Sequence, residues 1–146
     1  MNKLTRLFAT LGPIGYLPAS GTIASGIIFI AGYLLQTNQP FNGWTILVVI
    51  AMLTYCTYHY SRTCTETDPR QIVSDEIIAS LLLVWLIPHS AFYLLLTFGL
   101  WRYFDITKPF GIKRVEKLSG VYGIITDDLL AAFYTLGIIR IIQFIS

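Results

Sequence analysis

The chain has eight acidic residues, and six of them fall in three tight groups: Asp68 with Asp75-Glu76, then Asp105, then Asp127-Asp128. Each group stands at the end of an apolar stretch, where ionisable side chains are costly and tend to be functional. Carboxylates that converge without matching positive charge repel one another, and a hard divalent cation removes that repulsion. Mg²⁺ suits such a set, because it takes oxygen ligands and is bound through one or two carboxylates plus a substrate phosphate. A plainer account exists for one group. Thr126, Asp127 and Asp128 fit a helix start, where a negative charge gains about 0.3–1 kcal/mol from the helix dipole. That account does not extend to Asp105, which sits near a helix C-terminus, where the dipole disfavours an anion.

Arg102, Asp105 and Lys108 are spaced three apart, so on a helix Arg102 and Asp105 share a face. Pro109 biases Lys108 out of the helix. The segment reads either as a helix-end ion pair with an interfacial lysine, or as two cations that hold a phosphate beside a metal-binding acid. Ser20-Gly21-Thr22, followed by Ser25-Gly26, opens the first apolar helix, and backbone N–H groups and hydroxyls at a helix start form an anion site. Cys56-x-x-His59-x4-Cys64 lacks a fourth ligand and a standard zinc spacing. His89 reads as a turn residue rather than a base.

The elements that must position these groups are apolar. The class AVILMFWYC makes up 55% of the 146 residues and charged residues only 12%, against about 25% in soluble domains. With a mean hydropathy of +0.65, the chain reads as a small integral membrane protein and one domain over residues 1–146. A net charge of +2 and basic residues not interleaved with aromatics argue against a nucleic-acid surface. No protein partner is expected, and two cysteines make no disulfide framework.

Four apolar stretches stand out: Ile23–Leu35 with a possible extension back to Ile14, Trp44–Tyr58, Ile77–Phe104 interrupted by Pro88-His89-Ser90, and Leu129–Ile145. A span needs about 20 residues, and a helix-interior proline breaks its hydrogen-bond ladder. Lys and Arg concentrate on cytoplasmic loops. A helical hairpin that turns at Pro88 puts Lys3, Arg6, Arg62, Arg70, Arg102, Lys108, Lys113, Arg114 and Lys117 on one side and leaves only Arg140 on the other. The expected fold is therefore all-α: a small polytopic membrane bundle of four to five apolar helices, with the hairpin arms reaching Asp75 and Asp105. All the acid groups then lie on the cytoplasmic face. Lys3, Arg6 and Leu7–Leu17 loosely imitate a signal peptide with a cleavage site at Ala19-Ser20-Gly21, but Gly12, Pro13 and Gly15 break the apolar run, and the segment is read as retained.

These residues resemble a known family, phosphatidylglycerophosphatase A. Asp68-Pro69-Arg70-Gln71-Ile72-Val73-Ser74-Asp75-Glu76 is similar to its D-P-x-x-I-V-x-D-E block, Arg102-Tyr103-Phe104-Asp105-Ile106-Thr107-Lys108-Pro109 to its R-x-F-D-I-x-K-P, and Gly123-Ile124-Ile125-Thr126-Asp127-Asp128-Leu129-Leu130-Ala131 to its G-I-M-x-D-D-x-x-A. Pro18 to Ser25 resembles P-G-T-x-G-S more weakly. Ser20 stands for a proline, Ala24, Ala79 and Ala132 for glycines, and Gly111 for a proline, while every motif carboxylate and cation is kept.

The resemblance implies a Mg²⁺-dependent phosphoric monoester hydrolase of the bacterial inner membrane. Its reaction is phosphatidylglycerophosphate plus water giving phosphatidylglycerol plus phosphate, in glycerophospholipid synthesis. The expected metal set is Asp75, Glu76, Asp105, Asp127 and Asp128, supported by Asp68. Gly21, Thr22, Ser25, Arg102 and Lys108 are expected to hold phosphate, and Asp105, Arg102 and Lys108 to act in catalysis. The nucleophile is either water or Asp105, and one or two ions fit equally. A phosphatase for another membrane lipid phosphate fits the same chemistry. A small transporter fits less well, because no acid lies within Trp44–Tyr58 or between Ile77 and Trp101.

Overall fold

The computed structural model describes residues 3–36, 42–64, 71–115, 118 and 121–145, and among them there are helices and no strand. The helices are α1 (Lys3–Thr10), α2 (Ser20–Gln36), α3 (Gly43–Ser61), α4 (Ser74–Leu86), α5 (Ala91–Thr107), α6 (Ile112–Val115) and α7 (Val121–Ile145), with a 3₁₀ turn at Ile14–Tyr16. Among the described helices, α7 alone is long and apolar enough to cross a membrane by itself, and α2 is a shorter apolar helix.

The third apolar stretch breaks where proline requires it. α4 closes at Leu86, Ile87–Ser90 forms the turn, and α5 opens at Ala91. The two arms pack on α2 and α7 more than on each other, so this is an open hairpin with other helices between its arms. At 1.5 Å per residue, α4 is about 20 Å long and α5 about 26 Å, both short of the ~30 Å hydrocarbon core. They reach their lengths only by including Asp75 and Asp105 in the helices.

One core joins Phe29 of α2, Leu83 of α4, Trp101 and Phe104 of α5 and Ala131 of α7. Two of the glycine-to-alanine departures, Ala79 and Ala132, are buried in it. A second core joins Ala24, Leu53 and Ile77 of α2, α3 and α4. Hydroxyls enter these interiors by bonding back to their own helix, which satisfies a buried polar group locally. Thr57 donates to Leu53 O at 2.8 Å, Ser80 to Glu76 O at 2.6 Å and Thr135 to Ala131 O at 2.8 Å.

The bundle has two chemically different ends. At one end Arg140 donates to Leu86 O at 2.8 Å, and His89 stacks on Tyr33 with ring centroids 4.5 Å apart. At the other end lie the N-termini of α2 and α4, the C-terminus of α5 and the acids of α7.

A carboxylate-lined cavity as candidate active site

The start of α4 is anchored from two sides. Val73 N–H donates to Ala9 O at 3.0 Å, and the hydroxyls of Ser74 and Thr57 meet at 2.5 Å. This fixes Asp75 and Glu76 in the first turn, where the dipole favours their charge. Gly21 of α2 packs against the Glu76 carboxylate so closely that a Cβ there would collide with it. Gly15 similarly abuts the carbonyls of Gln71 and Thr10.

The C-terminus of α5 carries the cations. Arg102 and Asp105 share a helix face and form an ion pair at 2.7 Å. Arg102 also donates to Thr22 Oγ1 at 3.2 Å, while its buried Nε has no hydrogen-bond partner. Lys108 ends the helix in the left-handed region at φ 45°, with its N–H on Phe104 O at 2.8 Å. That conformation costs a non-glycine residue about 1–2 kcal/mol. Its ammonium donates to Asp127 Oδ2 at 2.7 Å.

Asp127 and Asp128 do not open the last helix as expected. α7 begins at Val121, six residues earlier, and both acids are buried nearly two turns inside it. The cap and dipole account of this pair therefore fails, since the dipole acts within the first turn. Trp101 Nε1 donates to Asp128 O at 3.4 Å and fastens α5 to this turn.

These groups line a single cavity of about 580 Å³: the acids Asp75, Glu76, Asp105, Asp127 and Asp128, the cations Arg102 and Lys108, and Gly21. In their ionised forms three carboxylate charges are left uncompensated. Carboxylate oxygens of Asp75, Glu76 and Asp128 lie within 4.8 Å of one another, as do those of Asp105, Asp127 and Asp128. At such separations two like charges repel by about 3 kcal/mol at an effective dielectric near 20. Four carboxylate oxygens, Asp75 Oδ1, Glu76 Oε2, Asp127 Oδ1 and Asp128 Oδ2, are buried without a hydrogen-bond partner. Unpartnered, repelling oxygens fit a hard divalent cation, and Asp128 belongs to both sets.

Not every expected residue arrives here. Asp68 lies outside the described residues. Ser25 is fully buried and turns its hydroxyl onto Gly21 O at 2.7 Å and Thr22 O at 3.2 Å, away from the cavity. Thr22 is not among the residues that line the cavity and meets it through Arg102. Cys56 is buried, and the Cys64 thiol donates to Tyr60 O at 3.5 Å. Sequence reasoning missed Gly15, Tyr16 and Gln71, which complete the cavity wall. The closely spaced Gly12, Pro13 and Gly15 were the available signal.

The chain is similar to known proteins. Residues 7–143 match the sequence model of the family described as Phosphatidylglycerophosphatase A. A Haemophilus influenzae protein named Phosphatidylglycerophosphatase A is 33% identical over 132 residues, covering 87% of this chain and 80% of its own. A Bacteroides thetaiotaomicron protein, provisionally named a phosphatidylinositol-3-phosphatase, is 28% identical over 134 residues, covering 86% of this chain and 82% of its own. No solved structure matches the chain.

Proposed function

Since the chain belongs to the phosphatidylglycerophosphatase A family and is a phosphatase, we propose that its substrate is phosphatidylglycerophosphate, hydrolysed with Mg²⁺ to phosphatidylglycerol and phosphate at the cytoplasmic face of the bacterial inner membrane. The observation that carries this reading is the convergence of five carboxylates and two cations on one cavity at one end of the bundle.

Asp75, Glu76 and Asp128 would hold one ion, and Asp105, Asp127 and Asp128 a second. A Mg²⁺ held there would supply Lewis-acid polarisation of the phosphoryl oxygens and charge stabilisation for the leaving oxygen. The chain's own residues do the rest. Arg102, with its free Nε donor, presents a planar fork to the phosphoryl oxygens. Lys108 adds a point charge and keeps Asp127 oriented. Uncatalysed monoester hydrolysis is extremely slow, so fixed positive groups in a partly dry cavity have much to contribute.

Membrane embedding is supported by the outward faces of the helices. Ile30 of α2, Val48 of α3, Leu95 of α5 and Phe133 of α7 are 62–72% exposed, and large apolar side chains exposed on four helices favour a membrane around the bundle. Arg6, Arg62, Arg102 and Lys108 lie at the cavity end and Arg140 at the opposite end, which favours a cytoplasmic cavity. The name of the Bacteroides relative favours a second substrate, a phosphoinositide, with the same chemistry.

The test is phosphate release by purified protein from phosphatidylglycerophosphate, phosphatidic acid and phosphatidylinositol-3-phosphate, with Mg²⁺ and with chelator. Release from phosphatidylglycerophosphate that needs Mg²⁺ is expected. Preference for the phosphoinositide would replace the substrate, and full activity in chelator would remove the metal.

A further inference from the structure

A small apolar groove of about 150 Å³ runs between α2 and α5, lined by Gly26, Phe29, Ile30, Leu94, Leu95 and Phe98. Its floor is built: Phe29 is 2% exposed, meets Phe98 edge-on at 5.2 Å and stacks on Trp101 at 6.2 Å. Its walls, Ile30 and Leu95, are 62% and 72% exposed. No charged or polar side chain enters it.

Position decides what the groove is for. It begins one helical turn beyond the Thr22–Arg102 hydrogen bond, since Gly26 follows Thr22 on α2 and Phe98 precedes Arg102 on α5. From Thr22, Gly26 to Ile30 lies about 6–12 Å along the helix. Arg102 thus faces the phosphate cavity and also marks the mouth of an apolar channel that leads away from it between the same two helices. A ligand with a phosphate at one end and a hydrocarbon chain at the other fits both at once.

We infer that the groove seats an acyl chain of the lipid phosphate whose phosphate occupies the cavity, an assignment that rests on the lipid-phosphatase reading above. The groove is open because position 26 has no side chain. A Cβ added at Gly26 meets nothing within 4 Å, so a side chain there has room to start into the channel. Gly99 on α5 has the same open surroundings, is exposed, and does not line the groove. It is the matched control.

The experiment measures kcat/KM for dibutanoyl, dihexanoyl and dioctanoyl phosphatidylglycerophosphate in detergent, with the full chain, Gly26→Leu and Gly99→Leu. Each methylene that enters an apolar site is worth roughly fourfold. The natural chain and Gly99→Leu should gain with chain length. Gly26→Leu should lose that gain, about 10²-fold at octanoyl and little at butanoyl. If Gly26→Leu follows the natural chain at every length, or Gly99→Leu loses as much, the groove assignment is overturned while the phosphatase reading stands. A second measurement uses the octanoyl lipid with a diazirine at the chain end. Cross-links to residues 26–30 or 94–98 that vanish in Gly26→Leu support the groove even if no phosphate is released, a result that would sink the phosphatase reading alone. Cross-links elsewhere would overturn it.

Discussion

The ammonium of Lys108, just past the end of α5, holds the carboxylate of Asp127 in α7 at 2.7 Å. Two elements distant in sequence are joined there by one charged hydrogen bond, and the lysine accepts a left-handed backbone to make it. Removing Lys108 takes this charged donor from the largely buried Asp127 carboxylate. Lys108→Met should therefore lose about 1–3 kcal/mol of stability and about 10²–10³ in phosphate release. Lys108→Met/Asp127→Asn should recover much of the stability and none of the activity. Thermal unfolding and turnover of both variants, beside Asp127→Asn, separate the two roles. Equal stability of all three would deny the pairing.

Asp128 belongs to both candidate ligand sets, so its loss should affect ion binding more than the loss of any other acid. Mg²⁺ at about a hundred times its Kd should stabilise the natural chain by about 2.7 kcal/mol, seen as a rise of several degrees in Tm. Asp128→Asn should lose most of that rise along with turnover. A Mg²⁺-dependent Tm shift that survives in Asp128→Asn would move the ion elsewhere.

Arg102 contacts Asp105 and Thr22 together, a geometry that an ammonium does not reproduce. Arg102→Lys should lower phosphate release about 10²-fold with the fold intact. Arg102→Gln/Asp105→Asn should be inactive. If the double variant turns over normally, the pair is only a helix-end ion pair.

A side chain at Gly21 collides with the Glu76 carboxylate, whereas one at Gly137 of α7 meets nothing within 4 Å. Gly21→Ala should displace Glu76 and depress turnover at least tenfold. Gly137→Ala should keep full turnover and gain about 0.5–1 kcal/mol from helix propensity. Matched activity of the two variants would mean that Glu76 need not sit where it does.

The cavity and the His89 turn lie at opposite ends of the bundle. In a background with Cys56 and Cys64 replaced, a cysteine at His89 should react with an impermeant maleimide from outside the cell. A cysteine at Lys113 should react only after permeabilisation. Lys113 labelling from outside would reverse the orientation.

The parts of this site that were legible in the sequence are those where local pattern and tertiary position coincide. Asp75-Glu76 and Arg102-x-x-Asp105 stand where apolar stretches end, so their helix-end positions could be read directly, and Pro88 marks the turn between the arms. The start of α7 was not legible. Thr126-Asp127-Asp128 carries the chemistry of a helix cap, but burial of Val121 and Ile124 extends the helix past Gly123, and packing overrides the local signal. The direction of the Ser25 hydroxyl was not legible either, because a serine near a helix start bonds outward or back to its own turn with equal ease. The Lys108–Asp127 bond and the Gly21–Glu76 approach depend on how separate helices dock, and no spacing along the chain encodes that.

α4 and α5 follow one another in sequence yet touch mainly through α2 and α7, and the carboxylates are divided among α4, α5 and α7. No single helix carries a working fragment of the cavity. A chain cut within residues 109–120 would yield halves that each hold an incomplete ligand set, Asp75, Glu76 and Asp105 on one and Asp127 and Asp128 on the other. Turnover regained on mixing such halves would report directly that the interior helices had docked, which makes phosphate release a gauge of helix assembly as well as of chemistry.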